Sequence, residues 1–179
     1  AIDAQGRIDL SKTKVLYPSI NNGYLLINSI DRKNGIVAAE QRKELARQLG
    51  ELLSEVRDGD QPVVKNVYDA EIHGAEMGMG GPSGGDIYIE LVPGYDFDPR
   101  TTPEPVITQV EPYGTHGGNP EQSSMRTLML FHGPGIAAGR RLQNVRITDF
   151  APTLSALLDF PAPRNSSGRV LRDVSAALH

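Results

Sequence analysis

Apolar residues recur at helical spacing between residues 38 and 57. Five of them share one face of the helix: Leu45, Leu49, Leu52, Leu53 and Val56. Charged residues occupy the opposite face, as in a surface helix that packs its apolar stripe against a core. The turn sequence Asp58-Gly59-Asp60 follows and marks the end of the helix. The pattern therefore predicts an amphipathic helix over residues 38–57.

Short apolar runs separated by turn residues predict several β-strands in the first half of the chain. Thr13–Tyr17 and Gly23–Ile30 flank the sequence Asn21-Asn22-Gly23, which is typical of a hairpin turn. Pro62–Tyr68 and Asp86–Val92 are further strand candidates, and the second alternates as a half-buried strand does. Between them, Ala75–Gly85 contains five glycines and is interpreted as a mobile surface connection.

The second half of the chain has weaker periodicity. Val106–Val110 is strand-like, and the apolar run Thr127–Phe131 suits a central parallel strand covered on both faces. Thr148 or Asp149 can cap a helix that has Pro152 in its first turn. Its predicted buried stripe consists of Phe150, Leu154, Leu157 and Leu158. A short C-terminal helix is predicted near Arg172–Leu178.

Together these elements predict an α/β fold with a mixed, mainly parallel sheet flanked by helices. We expect one domain over residues 1–179, because that length is sufficient for one sizeable core. Five leucines lie on an apolar stripe or in an apolar strand and are expected to be buried: Leu49, Leu53, Leu130, Leu154 and Leu158.

Composition and charge exclude some kinds of partner and site. The net charge of −4 and the pI near 5.6 give no electrostatic reason to expect nucleic acid as a partner. No segment approaches the length of about eighteen apolar residues that spans a membrane, so no membrane partner is expected. The chain has no cysteine, which excludes disulfides and thiolate metal sites and leaves the compartment open. The first residues lack an initiator Met and a signal pattern, so we expect a piece of a longer protein.

Candidate chemistry centres on a histidine in a glycine-rich loop, Tyr113-Gly114-Thr115-His116-Gly117-Gly118-Asn119-Pro120. Glycines leave room for the imidazole to approach a metal or a phosphate closely. The alternative is a turn with a surface histidine. Thr115 and Asn119 can contact a substrate or serve the turn. His132 is interpreted as a packed residue or one that supports a site, and His73 as structural. The loop acids Asp96, Asp98 and Glu104 are interpreted as solvated charges.

The tail of the chain resembles the C-terminal end of alkaline phosphatase superfamily enzymes in the order and spacing of several pieces. These are Gly114-Thr115-His116-Gly117, Gly133-Pro134-Gly135-Ile136, Ile147–Leu154, Pro161-Ala162-Pro163 and Gly168-Arg169-Val170-Leu171. The front half is similar to one branch, the type I phosphodiesterase/nucleotide pyrophosphatase-like phosphohydrolases. The pieces that match there are Thr13-Lys14-Val15, Gly23–Asn28, Arg32, Gly35–Glu40, Gly85–Tyr88 and Pro93-Gly94-Tyr95.

The resemblance implies a metal-dependent phosphoric ester hydrolase that uses two divalent metals, usually zinc, and a Ser or Thr nucleophile. In the family pattern the nucleophile and most metal ligands precede the part represented by this chain. Only the late histidine, which corresponds to His116, remains as a metal ligand, and no catalytic residue is assigned. We therefore expect the C-terminal portion of a larger enzyme, inactive alone and without a tightly bound metal. Its implied partners are the missing N-terminal portion of the same polypeptide and a small-molecule phosphate ester.

Two functions from different classes follow. The first is the C-terminal part of a phosphodiesterase/nucleotide pyrophosphatase-like hydrolase. The second is a non-catalytic binding or regulatory module derived from the same fold. Upstream metal-ligand motifs in the gene would establish the first, and a start codon at residue 1 would establish the second.

Overall fold

The computed structural model describes residues 1–18, 23–98, 105–114, 116 and 118–178. The chain divides into two compact units, Ala1–Met125 (the first unit) and Arg126–His179 (the second unit). Within the described residues, every helix is too short or too polar to cross a membrane.

The first unit contains the longest of the described helices and both of the described sheets. In chain order its α-helices and strands are β1 (Val15–Leu16), β2 (Tyr24–Ile27), α1 (Ala39–Ser54), β3 (Arg57–Asp58), β4 (Gln61–Pro62), β5 (Val64–Asp69), α2 (Ala70–Met77) and β6 (Ile87–Leu91), and a 3₁₀ turn follows at Ser123–Met125. The main sheet has the strand order β1-β2-β6-β5, and β3 and β4 form a separate two-stranded ribbon. The fold is therefore a mixture of helices and a small sheet, which confirms the α/β prediction at that level.

Every pair of neighbouring strands in the described sheets is antiparallel. Val15 lies opposite Ile27 in the predicted hairpin of β1 and β2, whereas its turn residues 21 and 22 lie outside the described residues. β5 and β6 are joined by α2 and a loop that reverses the chain, and Tyr68 lies opposite Tyr88. α2 therefore connects two antiparallel strands and not two parallel ones. The prediction of a mainly parallel sheet is not confirmed.

The core of the first unit lies between α1 and the sheet. Its fully buried residues are Ile27, Val37, Ala46 and Ile87. Leu45, Leu49 and Leu53 of α1 are half-buried against them, which confirms the predicted helix and most of its apolar face. Leu52 is 64% exposed, so the prediction that it belongs to the face packed on the core is wrong.

The helix α2 was not predicted from the sequence. Asp69 begins it by accepting a hydrogen bond from the backbone N–H of Glu71, and Gly78 ends it in the left-handed conformation at φ 66°. The segment interpreted as the connection Ala75–Gly85 is therefore helical up to Met77.

The second unit is built around one helix, α3 (Phe150–Leu157), preceded by the 3₁₀ turn Ile147–Asp149. The predicted C-terminal helix consists of two 3₁₀ turns, Arg172–Val174 and Ala176–Leu178. Leu171, Val174 and Leu178 are buried with half-buried Met129, Phe131, Leu142, Val145 and Leu157 around them.

Several core predictions for the second unit are wrong. Leu130 is 77% exposed and Leu158 is 60% exposed, whereas Leu154 is half-buried. The fully buried residues of α3 are Pro152, Thr153 and Ser155, which the apolar stripe did not indicate, whereas Leu157 of that stripe is half-buried against the core. Thr127–Phe131 is not a buried strand, and Val106–Val110 is not a strand either.

Candidate functional site

His116 is exposed on a loop of the first unit. Its neighbours Thr115 and Gly117 lie outside the described residues. In the described part of the chain no hydrogen bond to the imidazole is formed, and no three His, Cys, Asp or Glu side chains are grouped as a metal site requires. The described residues therefore supply His116 as a single candidate ligand rather than a complete site.

Both flanks of the histidine loop are anchored by side-chain hydrogen bonds. On one side, the Tyr113 hydroxyl donates to Asp96 Oδ2 at 3.1 Å, and this bond raises the pKa of Tyr113. On the other side, Asn119 Nδ2 donates to Glu90 Oε1 at 2.7 Å. Asp96, interpreted from the sequence as a solvated charge, is therefore engaged, whereas Glu104 lies outside the described residues.

Glu90, on β6, accepts hydrogen bonds both from side chains of β5 and from the histidine loop. Besides Asn119, it accepts hydrogen bonds from Lys65 Nζ at 2.8 Å, Asn66 Nδ2 at 2.7 Å and the Tyr68 hydroxyl at 3.0 Å. Its side chain is only 8% exposed. Burial alone would raise the pKa of Glu90, but the four hydrogen bonds outweigh it and lower the pKa to about 2. The carboxylate is therefore ionised at neutral pH and fixes the histidine loop to the sheet.

Sequence reasoning missed Glu90. The alternation of Asp86–Val92 placed it on the exposed face of the strand, where a single carboxylate gives no indication of a functional role. The available signal was the sequence Lys65-Asn66-Val67-Tyr68 on the preceding strand, which carries three donors. Asn119 also accepts the backbone N–H of Glu121 at 2.8 Å through Oδ1, which confirms its turn role.

A second ionic group holds α1 against the sheet. Arg42 of α1, with a side chain 11% exposed, lies 3.2 Å from Asp69, 2.9 Å from Glu71 and 3.6 Å from Asp86. Burial alone would lower the pKa of Arg42, but Asp69 and the other carboxylates outweigh it and raise the pKa. Because Asp69 also caps α2, the guanidinium of Arg42 links both helices to Asp86, the residue that precedes β6.

Asp86 joins two of the sequence pieces on which the family resemblance rests. It accepts the backbone N–H of Ile27 at 2.8 Å and a hydrogen bond from Arg32 at 3.0 Å. At the preceding position, a Cβ on Gly85 would lie 2.6 Å from the ring of Tyr24. In this structure Gly85 and Asp86 therefore serve packing and hydrogen bonding, and nothing in their geometry requires a catalytic role.

A similar junction organises the second unit. Buried Asp149 accepts the backbone N–H groups of Arg146 and Arg169, each at 3.0 Å, and these bonds lower its pKa. A Cβ on Gly168 would lie 2.0 Å from the backbone oxygen of Thr148, so only glycine permits this approach. The pieces Ile147–Leu154 and Gly168-Arg169-Val170-Leu171 thus meet in space.

The remaining histidines do not join His116. His73 is half-buried and contacts the ring of Tyr68 edge-on with centroids 5.8 Å apart, as a structural residue does. His132 is exposed, so the interpretation as a packed histidine is wrong. His179 lies outside the described residues.

Comparison with known proteins gives one informative similarity. The chain is 33% identical over 90 residues to the alkaline phosphatase PhoV of Synechococcus elongatus. The match covers 50% of this chain but only 14% of that protein's length. No family model and no solved structure matches the chain. The similarity indicates a relationship to an alkaline phosphatase, and therefore to hydrolases, without indicating a particular branch.

Proposed function

We propose that residues 1–179 form the C-terminal part of a metal-dependent phosphoric ester hydrolase, of the phosphodiesterase/nucleotide pyrophosphatase-like branch. The observation that carries the proposal is the placement of His116. Its imidazole is exposed and makes no hydrogen bond to the described residues, while Asp96 and Glu90 anchor the two flanks of its loop. The similarity to an alkaline phosphatase supports the choice of chemistry.

The donor set fits one position of a zinc site. A neutral imidazole nitrogen is a common zinc ligand, and an exposed ring with unengaged nitrogens is available for coordination. The other ligands and the nucleophile would come from polypeptide outside these residues. When bound, the two metals would supply Lewis-acid activation of the nucleophile and of the phosphoryl group.

This chain's own contribution is to position the imidazole. Glu90 holds Asn119, three residues beyond His116, and so restricts where the ring can lie relative to β6. Tyr113 restricts the other flank. We infer that the substrate is a small-molecule phosphate ester bound largely by the rest of the enzyme, and that residues 1–179 alone hydrolyse it no faster than buffer.

The proposal is tested by the metal content of the protein expressed from its complete gene. We expect His116→Ala to lower the bound zinc, measured by elemental analysis, and to abolish hydrolysis of a chromogenic phosphodiester. His132→Ala, an exposed histidine in the second unit, is the matched control and should leave both unchanged. Equal zinc content in the His116→Ala and unsubstituted proteins would remove His116 from the ligand set.

The second candidate function is a non-catalytic binding or regulatory module. It is favoured by the observation that the matched residues Gly85, Asp86, Asp149 and Gly168 have packing roles. A complete gene that encodes only these residues would support it, as would a longer product that lacks both zinc and hydrolytic activity.

A further inference from the structure

We propose that Thr127–Phe131, which is not part of a sheet in the described chain, forms a β-strand by pairing with an extended, acidic segment of the same protein from outside residues 1–179. The inference rests on the proposed function in one respect, namely that such polypeptide exists. The surface, termed here the docking strand, belongs entirely to the second unit.

The side chains of the docking strand alternate as those of a strand do. Met129 and Phe131 pack on the core of the second unit, whereas Leu128 is 83% exposed and Leu130 is 77% exposed. Period-two alternation with apolar residues on both faces is typical of a strand buried on both sides. The exposed leucines therefore lack the layer that their sequence pattern requires.

The backbone of the docking strand is also unpaired. No described residue forms a hydrogen bond with the backbone N–H or C=O groups of Thr127–Phe131. Backbone groups that are to be buried must be hydrogen-bonded, and a row of free N–H and C=O groups is a template for another strand. Strand addition satisfies the main chain and covers the leucines together.

Charge identifies the partner as acidic. The docking strand borders a groove of about 460 Å³ whose lining includes Arg140, Arg141 and Arg146 but no acidic residue within the described chain. The second unit as a whole has seven arginines, no lysine, three aspartates and no glutamate, a formal net charge of +4. A strand with carboxylates at its flanks complements this groove.

The same charges argue against a second copy as the occupant. Antiparallel self-pairing of two docking strands would bring the arginines of both copies around one interface. Like charges that face each other across an interface oppose association. An acidic segment meets no such cost.

The test uses residues 1–179 and a fluorescein-labelled nonapeptide of alternating Val and Thr with two carboxylates at each end. Fluorescence anisotropy should show saturable binding, and Leu130→Lys should weaken it by about tenfold or more. Leu52→Lys, at a leucine of α1 that is 64% exposed, is the matched control and should leave the affinity unchanged. Peptides with Lys at the ends, or with Pro in place of Thr, should bind at least about tenfold more weakly, because they remove the carboxylates or the N–H donors.

Three results would overturn the inference: no saturable binding, equal affinity for the Leu130→Lys chain, or equal affinity for the Lys-ended peptide. Sedimentation of a dimer that Leu130→Lys dissociates would assign the surface to a second copy instead. In the protein from the complete gene, slow amide exchange at Thr127–Phe131 would support docking whether or not zinc is bound. Fast exchange there in a zinc-loaded, active protein would reject the docking strand and leave the proposed function standing.

Discussion

Replacing Glu90 by Gln keeps the shape of the side chain but removes the charge that the four donors share. The difference between the ordinary glutamate pKa of 4.5 and the folded value of about 2 corresponds to about 3 kcal/mol of stability at neutral pH. Lys65 is 48% exposed, so solvent screens part of that interaction. We therefore expect Glu90→Gln to destabilise the first unit by about 2 kcal/mol at pH 7.

The dependence on pH follows from the direction of the shift. Because the folded pKa is depressed, the contribution is fully present above the unfolded pKa near 4.5 and is lost as pH falls towards 2. The stability difference between the two proteins should accordingly close over that interval. Glu76→Gln, at an exposed glutamate of α2, is the control and should leave the unfolding midpoint at pH 7 nearly unchanged.

Urea denaturation followed by tyrosine fluorescence is the suitable assay. All six tyrosines lie between Tyr17 and Tyr113, so the signal reports the first unit alone. Equal unfolding midpoints at pH 7, or a difference that persists unchanged at pH 2, would refute the reasoning. Faster amide exchange at Asn119 in Glu90→Gln would show directly that the histidine loop has lost its anchor.

Two further predictions concern buried polar contacts, the ion pairs of Arg42 and the hydrogen bond of Thr153. Arg42→Met should destabilise the first unit by about 3–5 kcal/mol in tyrosine-monitored denaturation, because it leaves the carboxylates around Arg42 without their cation. Arg47→Met, on the exposed face of α1, is the control and should lower the stability far less. Equal losses in the two variants would contradict the stabilising role of Arg42. Thr153→Val removes the acceptor of the Leu171 N–H at 2.9 Å and should destabilise the second unit by about 1–3 kcal/mol. Amide exchange at Leu171 measures this, and an unchanged rate would show that the bond contributes nothing.

The sequence patterns located elements well where a single period dominates. The leucines of α1 and the alternation of Ile87–Leu91 predicted a helix and a strand that the structure confirms. The Asn-Gly signal correctly predicted that β1 and β2 pair as antiparallel neighbours. These features depend on residues close in the chain, which a pattern records directly.

The failures depend on contacts that no local pattern contains. Leu130 and Leu158 were assigned to a core because they are apolar, but burial depends on what lies opposite them. α3 buries Thr153 because its hydroxyl accepts a hydrogen bond from residue 171, eighteen positions away. Glu90 became the anchor of the histidine loop through Asn119, twenty-nine positions away. Thr115 and Gly117, on which much of the candidate site depends, lie outside the described residues.

The hydrogen bonds that Asp86 and Asp149 accept differ in how far apart in the chain their partners lie. Asp86 binds Ile27 and Arg32 across 59 and 54 positions, whereas Asp149 binds the Arg169 backbone across 20. Ring closure costs more entropy as the loop grows, and folding slows as contacts become less local. During synthesis, β2 leaves the ribosome long before its carboxylate partner exists. The hydrogen bonds of the Ile27 N–H and the Arg32 side chain to Asp86 therefore cannot form until Asp86 has been synthesised and has left the ribosome.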